Sequence, residues 1–141
     1  MAIKHLTKTW QSDGAACGQY SIAMATGEAF EDVVNAVGHR SGMSINGIKQ
    51  TLSKLGYTAS NGDATIRGME EARGIVIIES RCRSNGHAMA FEGDAIYDPD
   101  DFPYENLAHV ERHIAEKGWE ITEMWRVEPV KTREWAVGSA K

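Results

Sequence analysis

The sequence predicts an α+β fold, with helices in its first half and an antiparallel sheet in its second. Two observations predict it. Three segments with apolar residues at three- and four-residue spacing come first, and β-branched or alternating runs of strand length follow. Segments that group by type, instead of alternating along the chain, argue against a parallel α/β sheet.

Ala16 to Thr26 reads as a short buried helix, because Ala16, Tyr20, Ala23 and Met24 recur at helical spacing and Gly27 follows as a stop. Phe30, Val33, Val34 and Val37 mark a second helix closed by Gly38, and Ile45, Ile48, Leu52 and Leu55 a third closed by Gly56. Arg67 to Arg73 predicts one or two helical turns. Gly74 to Ser80 is a β-branched apolar run, the pattern of a strand buried on both faces. His87 to Phe91 and Ala95 to Tyr97 predict paired strands with Gly93 and Asp94 at their turn. Asn106 to Lys117 reads as a polar surface helix, and the alternation across Ile121 to Val127 predicts a further strand.

A chain of 141 residues suits one domain spanning 1–141, with residues 130–141 expected as a flexible tail. Its hydrophobic share of 42% and charged share of 25% are those of an ordinary globular chain. A net charge of −5 disfavours nucleic acid as a partner, and no apolar run reaches the length of a membrane span. Met1 to Thr7 lacks the apolar run of a signal peptide, so a cytoplasmic location is expected. The two cysteines, Cys17 and Cys82, are therefore expected as thiols and not as a disulfide.

Cys17 falls where a Gly-containing loop meets the first helix. The positive end of a helix dipole favours a thiolate, and the thiolate is the nucleophile. Gln11, six positions upstream, offers a side-chain N–H to an oxyanion forming on an attacked carbonyl. His87 begins one strand of the expected hairpin and Asp98 ends the other, so the carboxylate can fix the tautomer of the imidazole and the imidazole can move protons.

These residues give the chain a resemblance to the papain-like cysteine peptidases, and within them to the bacteriocin-processing, double-glycine peptidases and their stand-alone relatives. The resemblance runs from Gln11 through Cys17-Gly18 to Ala23-Met24. It continues through the helix ending in Gly56-Tyr57, then Ile75 to Ile78, Gly86-His87 and Tyr97-Asp98-Pro99. It implies a papain-like fold in which the nucleophile helix packs on a C-terminal antiparallel sheet. It also implies that Cys17 is the nucleophile, His87 the general base and acid, Asp98 the group orienting His87, and Gln11 an oxyanion donor. The implied activity is hydrolysis of a peptide or isopeptide bond in a protein or peptide substrate, without a metal or organic cofactor. Ala16 stands where the family often has an acidic residue, and no transporter domain follows, so coupled peptide export is not expected.

Two alternatives share these residues. One is a non-catalytic binding or inhibitory protein that keeps the peptidase fold; the other is an acyl or amide transferase using the same thiol. Cys82, between Arg81 and Arg83, is the rival nucleophile, but lacks a helix terminus and an upstream glutamine. His109 and His113 are four apart on one helix face without a His-Glu-x-x-His pattern, and read as surface residues, not metal ligands. Asp98-Pro99-Asp100-Asp101 lacks calcium-loop spacing and reads as a turn. No Gly-rich phosphate loop occurs. Trp10, Trp119, Trp125 and Trp135 are expected in the core or lining a groove.

Overall fold

Small and apolar residues surround the whole circumference of the helix Cys17–Thr26 (α1), and every residue from Gly18 to Thr26 is buried. A helix buried on all sides must lie inside the fold, and the other elements are arranged around it. A computed structural model describes residues 3–7, 16–62, 72–82 and 86–130, with side chains left aside at 61 and 62. Among these residues the remaining helices are α2 (Phe30–Val37), α3 (Ile45–Lys54) and α4 (Leu107–Ala115). The strands are β1 (Tyr57–Gly62), β2 (Arg73–Ser80), β3 (Gly86–Glu92), β4 (Ala95–Tyr97) and β5 (Trp119–Pro129).

The five strands form one antiparallel sheet in the order β1-β5-β2-β3-β4, which establishes the α+β class. Alternation in β2 divides the core. Ile75 and Ile77 join Ile22, Met24, Leu52 and Trp125 on the face covered by the first helices. Val76 and Ile78 join Met89, Phe91 and Met124 on the other, covered by α4. The β-branched run is thus buried on both sides, as its composition predicts. No helix among the described residues is long and apolar enough to cross a membrane.

Local signals terminate the helices where expected. Gly27 takes a left-handed φ of 82°, and its N–H donates to the Ala23 carbonyl to close α1. Gly38 closes α2, and the Ser44 hydroxyl opens α3 by accepting from the Gly47 N–H. Beyond α1, the Tyr57 hydroxyl donates to the Thr26 carbonyl at 3.2 Å and the buried Arg73 guanidinium to that of Met24 at 3.2 Å. A cation there complements the negative end of the dipole. Glu92 faces Ala95 across the two-residue turn at Gly93 and Asp94, so the β3–β4 hairpin forms as its sequence predicts.

Four expectations need correction. α4 is not wholly a surface helix: Leu107, Val110 and Ile114 make a buried stripe against the sheet. β1 was not expected, because its exposed Thr58 and Ser60 and half-buried Ala59 give a weak alternation at the sheet edge. Arg73 is the first residue of β2 and faces Glu92, so it ends no helical turn; residues 67–71 lie outside the described residues. β5 extends two residues beyond each end of the expected strand and lies between β1 and β2. Trp125 is fully buried and Trp119 half-buried against the second cluster, whereas Trp10, Trp135 and the tail from 131 onward lie outside the described residues.

β2 approaches β5 most closely at Gly74, where a Cβ would lie 1.8 Å from the Trp125 carbonyl oxygen. The obstacle is backbone, so relief requires the strands to part. Gly74→Ala is expected to destabilise the protein by about 3 kcal/mol, measured by urea denaturation. A loss below about 0.5 kcal/mol would show that the two central strands can separate locally at little cost.

Candidate active site

Cys17 is the first residue of α1, with Ala16 as its N-cap and no side chain capping the helix. The thiol therefore stands at the positive end of the dipole of the most buried helix. Gly18 packs against Met43: a Cβ there would lie 3.0 Å from the methionine sulfur, so the first turn of α1 sits close against the approach to α3.

The β3–β4 hairpin supplies the other two groups. Asp98 follows Tyr97 at the end of β4 and His87 stands near the start of β3, so both lie at the same end of the hairpin. The His87 Nε2 and Asp98 Oδ1 atoms are 2.6 Å apart, with side-chain exposures of 15% and 6%. With Nε2 engaged by the carboxylate, Nδ1 is the nitrogen left for the hydrogen bond between His87 and the Cys17 thiol. Burial alone would lower the His87 pKa, but the hydrogen bonds to Asp98 and Cys17, with their charges, push it up from 6.5 to about 10. Burial likewise works to raise the pKa of Asp98. The bond and charge of His87, with the N–H groups of Asp100 and Phe102, outweigh it and hold the carboxyl below 3.8. At neutral pH the pair is an imidazolium on a carboxylate.

The Asp98-Pro99-Asp100-Asp101 segment is a turn, as expected. The Asp100 N–H donates to the Asp98 carboxylate at 3.0 Å and the Asp101 N–H to its carbonyl at 2.8 Å. Single ligand atoms of His87, Asp98 and Asp100 lie within 4.8 Å of one another, the spacing of a metal site. Nε2 and Oδ1 are engaged with each other, however, and Asp100 is exposed at the rim. The arrangement therefore suits proton transfer better than ligation.

Cys17 and His87 line one cleft of about 450 Å³. Met43, Ile45 and Ile48 from the α3 side and Ile77 from β2 give it apolar walls, and Ser44, Asn46 and Glu79 supply polar groups. Gln11 lies outside the described residues. Cys82 is exposed past the end of β2, 3.5 Å from the Ser80 hydroxyl, and does not line this cleft. His109 and His113 belong to an aromatic cluster with Phe102 and Tyr104. The His109 Nδ1 accepts the Glu105 N–H at 3.1 Å, and the His113 and Phe102 ring centres are 4.3 Å apart.

Two residues at the site were missed by the sequence reading. The His5 Nε2 is 2.8 Å from the Asp98 carbonyl oxygen; an oxygen that only accepts requires this nitrogen to carry a proton. Its Nδ1 lies 3.9 Å from Asp101. Nothing local in Lys4-His5-Leu6 points to that turn. Glu79 falls within the expected strand Gly74 to Ser80 and was given no role of its own; alternation along β2 was the available signal, since Ile77 and Glu79 share a face. Compared with known families and with curated proteins, the chain matches no family model and no curated sequence.

The raised pKa of His87 means that it holds its proton more tightly folded than unfolded. Its contribution to stability is complete below pH 6.5, declines as pH rises from there, and is gone above about 10. Asp98 acts in the opposite sense, contributing fully above 3.8 and less as pH falls toward its lowered folded value. Urea titrations of wild type and Asp98→Asn are expected to differ by about 3 kcal/mol between roughly pH 4 and 6.5, with the gap closing toward pH 10. A gap that stays flat from pH 6 to 10 would mean that this pair does not set the pH dependence.

Proposed function

We propose that the protein is a papain-like thiol hydrolase that cleaves a peptide or isopeptide bond. The observation that carries the reading is the hydrogen-bonded series Asp98–His87–Cys17 opening on one cleft, with the thiol at a helix N-terminus. A buried structural thiol would need neither an imidazole nor a carboxylate behind that imidazole. The α+β layout, with the nucleophile helix packed on an antiparallel sheet, agrees with the resemblance carried by Gln11, Cys17-Gly18, Gly86-His87 and Tyr97-Asp98-Pro99.

In this reading the resting site is a thiolate–imidazolium pair, so deprotonation of Cys17 by His87 precedes substrate binding. The Cys17 sulfur attacks the scissile carbonyl carbon, and the oxyanion forms at the N-terminus of α1. The resemblance assigns Gln11 as a second donor there. Collapse of the intermediate breaks the C–N bond, and His87 gives its proton to the leaving amine. Neutral His87 then takes a proton from water, the hydroxide attacks the thioester, and the carboxylic product leaves as the ion pair re-forms. Asp98 holds Nε2 throughout, keeping Nδ1 directed at the sulfur.

Alkylation by iodoacetamide at pH 6, read by peptide mapping, tests the nucleophile directly. Cys17 is expected to react at least about tenfold faster than Cys82, and His87→Ala to remove that advantage. Cys17→Ala is expected to lower hydrolysis of a peptide library by about a thousandfold or more, and Cys82→Ser to leave it within about twofold. Equal reactivity of the two thiols, or hydrolysis that survives Cys17→Ala, would overturn the reading.

A further inference from the structure

We propose that Glu79 selects substrates with a cationic side chain, lysine or arginine, next to the scissile bond; this rests on the reading of Cys17 as nucleophile. Glu79 lines the same cleft as Cys17 and His87, facing it from β2 beside Gly86. Gly86 has no side chain to screen the carboxylate from the cleft. The Thr122 hydroxyl donates to Glu79 Oε1 at 2.6 Å and holds the carboxylate in place. Among the described residues no cation pairs with it.

Two charges near it already have partners. His87 is held by Asp98. Lys49 of α3 is shared between Glu123, at 3.6 Å, and the ring of Trp125, at 4.9 Å. Glu79 is therefore a half-buried carboxylate that the triad does not use, in the cleft that Cys17 lines. A cation from outside the chain that reaches it gains a charge-assisted contact with a carboxylate already held by Thr122.

The walls fit the rest of such a side chain. Ile45, Ile48 and Ile77 offer apolar surface to a methylene stem, and the carboxylate meets the charged head, which is how long basic side chains are commonly bound. An acidic side chain would face like charge at the same point, so the cleft discriminates by repulsion as well as by attraction.

Three small methanethiosulfonates test this on the full chain: the trimethylammonium-ethyl cation, the neutral methyl reagent and the sulfonatoethyl anion. Rates at Cys17 are read by peptide mapping, and each variant is judged by the ratio of its own cation rate to its own anion rate. Glu79→Gln preserves an acceptor for Thr122 and is expected to lower that ratio about five- to tenfold, and Glu79→Lys to lower it further. Added salt should shrink the difference between wild type and Glu79→Gln. The same ratio in wild type and Glu79→Gln would overturn the proposal and leave the nucleophile reading intact. Slow modification of Cys17 by all three reagents, no faster than of Cys82, would overturn both.

Discussion

Burial of α1 from Gly18 to Thr26 is the constraint on which the rest depends. A helix with no solvent face cannot place its polar groups outward, so each needs a partner inside. Thr26 bonds back to the Ile22 carbonyl at 2.7 Å, and the Gln19 amide donates to the carbonyls of His39 at 3.1 Å and Ser41 at 2.9 Å. Among the described residues the Gln19 Oε1 and Ser21 Oγ atoms find no hydrogen-bond partner, a cost of about 1–3 kcal/mol each that the surrounding core offsets. The helix is fixed at both ends as well. Arg73 and Tyr57 hold its last carbonyls, and Met43 packs against Gly18 at the other end. Cys17 is consequently held in place along a rigid element, which catalytic geometry requires.

The hairpin meets that fixed thiol with a second constrained group. A buried imidazolium without a counter-charge would lose its proton, and a buried carboxylate without a donor would take one up. Pairing at 2.6 Å lets both remain ionised in a place where neither could alone. Asp98 is held in turn by backbone N–H groups of its own turn and, through its carbonyl, by His5. The three residues from the first segment, β3 and the turn after β4 therefore constrain one another, and His87 reaches the cleft with its position fixed from behind. Such a pair adds less to stability than hydrophobic packing of the same volume would, so its retention is better explained by chemistry than by folding.

Legibility from sequence followed the range of the interaction involved. Short-range signals were reliable: Gly27 and Gly38 as helix stops, Asn106 at a helix start, Gly93-Asp94 as a hairpin turn. Once the hairpin was recognised, His87 and Asp98 were expected at the same end of it, close enough to meet. Non-local pairing was hidden. Nothing within Trp119–Pro129 says that it separates β1 from β2, and nothing near His5 says that it reaches the Asp98 carbonyl. Amphipathicity was underestimated in α4, because three apolar residues among charged ones still make a complete buried stripe. Gln11 falls outside the described residues, so its role continues to rest on resemblance.

The two thiols show why position counts for more than neighbouring charge. Cys82 has Arg81 and Arg83 beside it in sequence, a favourable setting by composition. But Cys82 and Arg81 are exposed, where a unit charge at 4 Å is worth about 1 kcal/mol and salt weakens it further. Cys17 faces one cation instead of two; that cation is largely buried and fixed by a carboxylate, and the thiol itself stands at a helix N-terminus. At the effective dielectric of a protein surface cleft the same separation is worth about 4 kcal/mol. Ordering matters as much as strength, because a flexible arginine loses entropy each time it pairs, whereas His87 is already in place. The single buried imidazole therefore counts for more than an exposed arginine neighbour, and what sets Cys17 apart from Cys82 is the shell that holds its partner.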